Sequence, residues 1–198
     1  MNSSAVVNGA NVTIDSHSVS IAGSQRSMVD NIVFTFSEPV TLGSGAFSIA
    51  YTAGASVTGT ADSSFDSPLP TLSWSNPSSD GETWVVTFSG SSVVGNSVAD
   101  GVYNITVNAG QVTANAQNMA GSVTNTFYRL FDSTTGDNRV ASRPDFSAIQ
   151  SAEGRTIGAA GYVAYLDYNG DGSIASRPDF SNAQIREGAG FTGFTATI

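Results

Sequence analysis

The 198-residue chain has no cysteine, no lysine and a single histidine, His17. Without thiols there is no disulfide to staple a fold and no thiolate chemistry. Without lysine there is no phosphate loop of the type that ends in a Lys side chain. Seven arginines against sixteen acidic residues leave a formal net charge of −9. That balance excludes nucleic acid as a partner and disfavours an anionic membrane surface. One imidazole is too few for a zinc site, which takes several His or Cys ligands. His17 lies between Ser16 and Ser18, with Asp15 nearby. Adjacent side chains on a strand point to opposite faces, so these residues make no catalytic triad, and His17 reads as a surface residue of a polar turn. Asp and Glu are scattered, and none pairs off as a glycosidase couple would. The chain is read as non-enzymatic. No apolar run reaches the ~20 residues of a membrane-spanning helix, so no membrane insertion is expected. Met1-Asn2-Ser3-Ser4 opens no signal peptide.

What remains is rich in Gly, Ser, Thr, Val and Asn, a composition of extracellular β-proteins. The expectation is an extracellular or cell-surface location, as an excised part of a longer secreted chain. From residue 1 to about 127 the pattern is β. Ile32, Phe34 and Phe36 alternate with polar or smaller residues, as do Trp84, Val86 and Phe88, and Tyr103, Ile105 and Val107. A period of two marks half-buried antiparallel strands. Further strands are expected at 6–12, 18–22, 46–51, 71–75 and 123–127, with turn-rich stretches at 63–70 and 76–81. Many short strands with turns between them predict a sandwich. Tyr103 follows Asp100-Gly101 and is either a tyrosine corner, its hydroxyl bonded back to loop backbone, or an ordinary buried strand tyrosine. Trp84 belongs to a core face. Trp74 is the better candidate for an exposed sugar platform.

From about residue 128 the pattern changes. Six of the seven arginines lie here, and Ala141-Ser142-Arg143-Pro144-Asp145-Phe146-Ser147 recurs letter for letter as 175–181, an offset of 34 residues (175 minus 141). Ser142 and Ser176 are read as helix caps with Asp145 and Asp179 three residues on. Pro144 and Pro178 fall in the first helical turn. Phe146, Ile149 and Ala152 space as one helix face, and Phe180, Ala183 and Ile185 do so less regularly. The two loop–helix units are expected to pair about a pseudo-two-fold axis.

Ahead of the second copy stands Asp167-Tyr168-Asn169-Gly170-Asp171-Gly172-Ser173. Oxygen ligands at alternate positions, then Gly for a sharp turn, are how a short loop wraps Ca²⁺, a hard cation. The candidate ligands are Asp167, Asn169, Asp171 and the Ser173 carbonyl, with Ile174 as the apolar residue behind them. Asp179 stands at position 13 rather than 12, and closes the loop if Ser176 is the cap. In the first copy Ser133, Thr135 and Asp137 fall at the matching places, Arg139 replaces Ser173, and Asp145 closes. Asn138 replaces Gly172, tolerable because Asn accepts positive φ. Neutral Ser and Thr ligands predict a weaker first site, for which Asp132 is a possible substitute ligand.

These residues resemble dockerin-type, EF-hand-like calcium repeats. Phe127-Tyr128-Arg129-Leu130-Phe131 ahead of the repeat, and Gln25-Arg26-Ser27-Met28-Val29 in the β-rich part, resemble the C-terminal regions of large secreted planctomycete-type proteins. The resemblance implies an immunoglobulin-like β-sandwich over 1–127 and a small α-helical, duplicated calcium unit over 128–198. It also implies a cohesin-like or other cell-surface protein as partner, with Ser142, Arg143, Ser176 and Arg177 at the recognition places. The function expected is a non-catalytic calcium-binding structural or adhesion module of a bacterial surface or secreted protein. The alternative is an accessory carbohydrate-binding module, which an exposed aromatic row on one sheet would favour and a polar face would not. The aromatic run 127–131 is too apolar for a flexible linker and is expected to continue the last strand and be buried between the units.

Overall fold

The computed structural model describes residues 3–7, 10–19, 28–53, 55–59, 68–135, 137–140 and 143–195. They form a mainly β protein with several small sheets. The strands are β1 (Ser3–Val7), β2 (Ala10–Val19), β3 (Asn31–Phe36), β4 (Thr41–Leu42), β5 (Phe47–Tyr51), β6 (Ser56–Thr58), β7 (Thr71–Ser75) and β8 (Thr83–Ser89). They continue with β9 (Val93–Val94), β10 (Ser97–Val98), β11 (Gly101–Val107), β12 (Val112–Ala114), β13 (Gln117–Asn118) and β14 (Val123–Arg129). Helices α1 (Asp145–Ala152) and α2 (Ser181–Ile185) follow, and β15 (Gly190–Thr192) ends the elements. The largest sheet has the order β1-β2-β3-β8-β7, and a second has the order β14-β11-β5. All pairings in both are antiparallel.

The alternating strands behave as their periodicity dictates. In β3, Ile32, Phe34 and Phe36 are buried while their neighbours are half-exposed. Val86 and Phe88 in β8, and Tyr103, Ile105 and Val107 in β11, are also buried. These side chains share one hydrophobic core, to which both sheets contribute. Phe34 lies 4.8 Å from Phe47, and Phe88 lies 6.5 Å from Phe127, centroid to centroid. Tyr103 Oη donates to the Ala99 carbonyl at 3.0 Å, the back-bonded tyrosine corner.

Three strand expectations change. Residues 6–12 do not form one strand: β1 and β2 pair as a hairpin with Val7 opposite Ala10. The expected strand at 18–22 is the end of β2, which runs to Val19; residues 20–22 lie outside the described residues. His17 lies within β2, in register with Phe34, and not in a turn. Of the turn-rich stretches, 63–67 lies outside the described residues, as do Gln25, Arg26, Ser27 and Ser142.

The two repeats cross over each other. Phe146 and Phe180, equivalent by the 34-residue offset, meet edge to face at 5.8 Å. Val140 exchanges backbone hydrogen bonds with Gly188 and Ala189 beyond α2, both 2.9 Å. Its equivalent Ile174 does the same with Gly154 and Arg155 beyond α1, at 2.7 and 2.8 Å. Each loop is therefore zipped to the exit of the other repeat's helix. Ile149 and Ala183, also equivalent, are buried in the shared core. Ile185 is 53% exposed and does not belong to that face. The face of α2 runs Phe180, Ala183, Arg186, with Arg186 fully buried. The Ser176 cap is not formed either. Arg177 is extended (φ −140°, ψ 132°), so the helix cannot start before Pro178. A single wide turn, Ser176–Phe180, leads into α2.

The chain end returns to the β-rich part, where β15 pairs with β6, Phe191 opposite Val57. The run after Thr126 is buried as expected of a junction. Tyr128 and Leu130 pack with Val102, Val140, Ala189 and Phe191. Phe131 packs with Met28, Ile149, Leu166 and Ile174.

Candidate metal centre

Asp167 is the hub of the second loop. Its Oδ1 accepts the amides of Gly170 (2.8 Å) and Asp171 (3.2 Å), and its Oδ2 accepts Gly172 N (2.7 Å) and Tyr162 Oη (2.8 Å). Three consecutive loop amides thus converge on one carboxylate, which holds the turn that Gly170 and Gly172 permit at φ 69° and 84°. Asp179 closes the loop from behind: Oδ1 accepts Tyr168 N and Oδ2 accepts Ala175 N, each at 2.7 Å. It thereby ties loop position 2 to position 9, across the extra residue that the spacing contains. Asn169 and Asp171 are exposed at the rim, linked by Asn169 Nδ2 to Asp171 Oδ2 at 2.9 Å. Ser173 N donates to Asp171 Oδ1 at 2.9 Å.

Burial pushes the Asp179 carboxyl above its ordinary range. The Ala175 and Tyr168 amides oppose this, and the Asp167 and Asp171 charges add to the rise. The Tyr162 phenol is pushed up to about 12, by burial first and then by its bond to Asp167. Asp30, from the segment before β3, is raised by burial; Arg129 opposes the shift and Asp167 adds to it.

The first loop copies part of this scheme with weaker groups. Asp145 Oδ1 accepts Thr134 N at 2.8 Å, the counterpart of Tyr168 N on Asp179, and also Thr134 Oγ1 at 2.7 Å. Asp137 Oδ1 accepts Arg139 N at 3.2 Å, the counterpart of Ser173 N on Asp171. Asn138 takes φ 56° where Gly172 has 84°. Ser133 Oγ, at the place of Asp167, is buried and has no hydrogen-bond partner among the described residues. Thr135, Asp137 and Arg139 are exposed. Asp132 is fully buried beside Asp145 and Arg186; burial, with Asp145 adding, pushes its carboxyl up to about 8. Among the described residues, no three His, Cys, Asp or Glu side chains stand together as a ready metal cage. The oxygen set of the second loop nonetheless suits a hard cation. Burial of Asp179 beside the Asp167 and Asp171 carboxylates makes its ionisation costly, and Asn169 and the Ser173 carbonyl are neutral oxygens of the kind Ca²⁺ accepts.

The sequence reading missed a buried ionic cluster that joins this centre to the β-rich part. Asp100, from the tyrosine-corner loop, pairs with Arg129 at the end of β14 and with Arg186 beyond α2. All three are buried. Asp100 Oδ1 also accepts Phe131 N at 2.8 Å. Burial alone would raise its carboxyl, but the two guanidinium groups and the Phe131 amide hold it below the usual carboxylate range. Tyr168 of the second loop and Phe131 meet edge to face at 5.0 Å. Both guanidinium groups lie 5.1–5.8 Å from these ring centroids.

Trp74 is not a free platform: it is half-buried and meets Phe47 edge to face at 5.4 Å. Trp84 is also half-buried against the core and donates Nε1 to Gly81 O at 3.0 Å. The outer face of β14-β11-β5 carries Ser48, Ala50, Asn104, Thr106, Thr124 and Thr126. Its hydroxyls bond one another and Asn104, as Thr106 to Thr124 at 2.8 Å and Thr126 to Asn104 at 2.7 Å. Among the described residues no pocket is present and no helix is long and apolar enough to cross a membrane. Comparison with protein-family models, curated proteins and solved structures gave no match.

Proposed function

We propose that the chain is a non-catalytic, calcium-stabilised structural module of an extracellular or cell-surface protein, built as an immunoglobulin-like β-sandwich followed by a dockerin-like pair of loop–helix repeats. The observation that carries the reading is the equivalence of the two closing carboxylates. Asp145 and Asp179 each reach back from the helix start to the amide at loop position 2, and in the second loop Asp167 gathers three further amides. A loop so held keeps its oxygens together, and the unneutralised charge of Asp167, Asp171 and Asp179 favours a divalent cation. Asp167, Asn169, Asp171, the Ser173 carbonyl and Asp179 would hold Ca²⁺ in the second loop. Asp137, Asp145, Ser133, Thr135 and the Arg139 carbonyl would do so more weakly in the first. The cation would supply the cross-link that a chain without cysteine lacks.

A spacing or adhesive role fits better than glycan binding. The outer sheet face carries small hydroxyl side chains bonded to each other, and Trp74 packs on the core. The test is thermal unfolding in excess Ca²⁺ and in EDTA. A ligand bound only by the native state adds about 3–4 kcal/mol at several hundred times its dissociation constant. Superimposable curves refute calcium binding.

A further inference from the structure

We infer that the loop–helix unit docks onto the β-rich part of its own chain, and that this docking and calcium binding are one coupled equilibrium. The inference rests on the calcium reading of the second loop. Two glycines of the β-rich part carry the argument, because each bears on backbone and not on a yielding side chain. Gly95 turns the β9–β10 hairpin at φ 57°. A Cβ there would lie 2.7 Å from the Tyr168 carbonyl, 2.9 Å from Gly170 N and 3.0 Å from Asn169 C. The hairpin is pressed flat against the first half of the second loop. Gly59, just past β6 at φ 76°, stands the same way to the other repeat. Its Cβ would lie 2.8 Å from Gly188 O and 2.9 Å from Ala189 Cα, on the segment that pairs with Val140 of the first loop.

Between these two contacts the dock is filled. Met28 of the β-rich part enters the apolar cluster of Phe131, Ile149, Leu166, Ile174 and Ala183. The Met28–Asp30 segment is itself fixed to the hairpin, with Val29 N on Ser97 Oγ at 2.8 Å. Asp100 binds Arg186 of the second repeat and the Phe131 amide at once. Tyr168 has one face of its environment in the loop and the other in this cluster: its amide is held by Asp179, and its ring lies beside both guanidinium groups. Whatever fixes the Tyr168 backbone therefore fixes both the cation loop and the dock. By linkage, weakening the dock must weaken calcium binding, and calcium must strengthen the dock by the same factor.

The test uses the whole chain with Gly95→Asn and Gly59→Asn, and Asn96→Gly as control. Asn tolerates positive φ, so the turns survive while a side chain enters the contact. Asn96 is exposed in the same turn at φ 66°, and its replacement leaves the contact open. Calcium affinity is read by calorimetry, and unfolding is followed by circular dichroism in EDTA. Gly95→Asn is expected to weaken calcium binding about tenfold or more, a typical coupling factor. Gly59→Asn, which does not touch the second loop, is expected to weaken it too, and both are expected to melt lower in EDTA. Asn96→Gly should behave as the wild type. If the wild type binds calcium and both glycine variants bind it equally well, the coupling is refuted while calcium binding stands. If the wild type gives no calcium signal, the calcium reading fails and takes the coupling with it. Should Gly95→Asn not fold, Gly59→Asn decides alone.

Discussion

Replacing Asp100 by Asn removes one charge and almost no volume, from a site where that charge is shared by two buried guanidinium groups. Losing one partner of a buried ion pair costs about 3–5 kcal/mol, chiefly because the other charge is left without compensation. Here Arg129 and Arg186 are both left so. Two features keep the loss from doubling. The Asn oxygen can still accept the Phe131 amide, and both cations keep the rings of Phe131 and Tyr168 beside them. At about 2–4 °C per kcal/mol for a chain of this size, the melting temperature should fall by about 6–20 °C. The measurement is thermal unfolding at pH 7 in EDTA, so that no cation contributes. A triple variant, Asp100→Leu with Arg129→Met and Arg186→Met, separates charge from packing. Replacing a whole buried ionic set by apolar groups is often neutral or stabilising, so it should recover most of the loss. A fall of less than about 1 kcal/mol in Asp100→Asn would show that the cluster does not hold the two parts together.

The same carboxylate sets an acid limb. Its folded pKa lies below the unfolded value of about 3.9, so its contribution is fully present above that value and lost as pH falls through the folded one. The wild type should lose stability below about pH 4, and Asp100→Asn should lack that share; parallel melting curves from pH 5 to 2 would contradict it. In calcium titrations Asp171→Ala should lose more affinity than Thr135→Ala, since the proposed second site has Asp167, Asp171, Asp179 and Asn169 where the first relies on Asp137, Asp145 and neutral hydroxyls; the reverse order refutes the ranking.

The parts of the fold legible in the sequence were those with a strong local period. Alternation in β3, β8 and β11 identified their buried faces because each strand has one face in the core. The strands that were missed, β4, β6, β9, β10, β12, β13 and β15, have two or three residues each, too few for a period to show. β15 in particular is formed by pairing with β6, some 130 residues earlier in the chain, and by a bridge to Arg139. In the repeat, spacing singles out Asp145 and Asp179, whose carboxylates accept the loop amides of Thr134 and Tyr168. It misplaced the helix start, because Ser176 looks like a cap while Arg177 stays extended. Hydrophobicity alone places Ile185 on the α2 face, where the structure leaves it 53% exposed. The 34-residue offset makes Arg186 the equivalent of the buried Ala152, and that was the available signal. Arg129 carried a similar one, a lone cation in the apolar run Phe127–Phe131. Neither shows its partner, for Asp100 is distant in sequence and reads as a turn residue.

The pattern of identity and difference between the repeats has a physical reading. The identical stretch supplies part of the contacts that the two repeats make with each other and with their own loops: Asp145 and Asp179 on the loop amides, Phe146 and Phe180 as a crossing pair. The pairing of the repeats brings equivalent positions together, identical at Phe146 and Phe180 and different at Val140 and Ile174 and at Ile149 and Ala183. The dock has no such symmetry. At matched places Thr134 faces Tyr168 in the alignment, and Ala152 faces Arg186. In each pair it is the second-repeat residue that stands beside Arg129 or binds Asp100. The second repeat also carries the carboxylate, Asp167, where the first has Ser133. The buried partner of Asp100 and the additional loop carboxylate Asp167 therefore both lie in the second repeat. The first repeat meets the β-rich part as well, through Val140 and Phe146, which pack with Val102 and Tyr128.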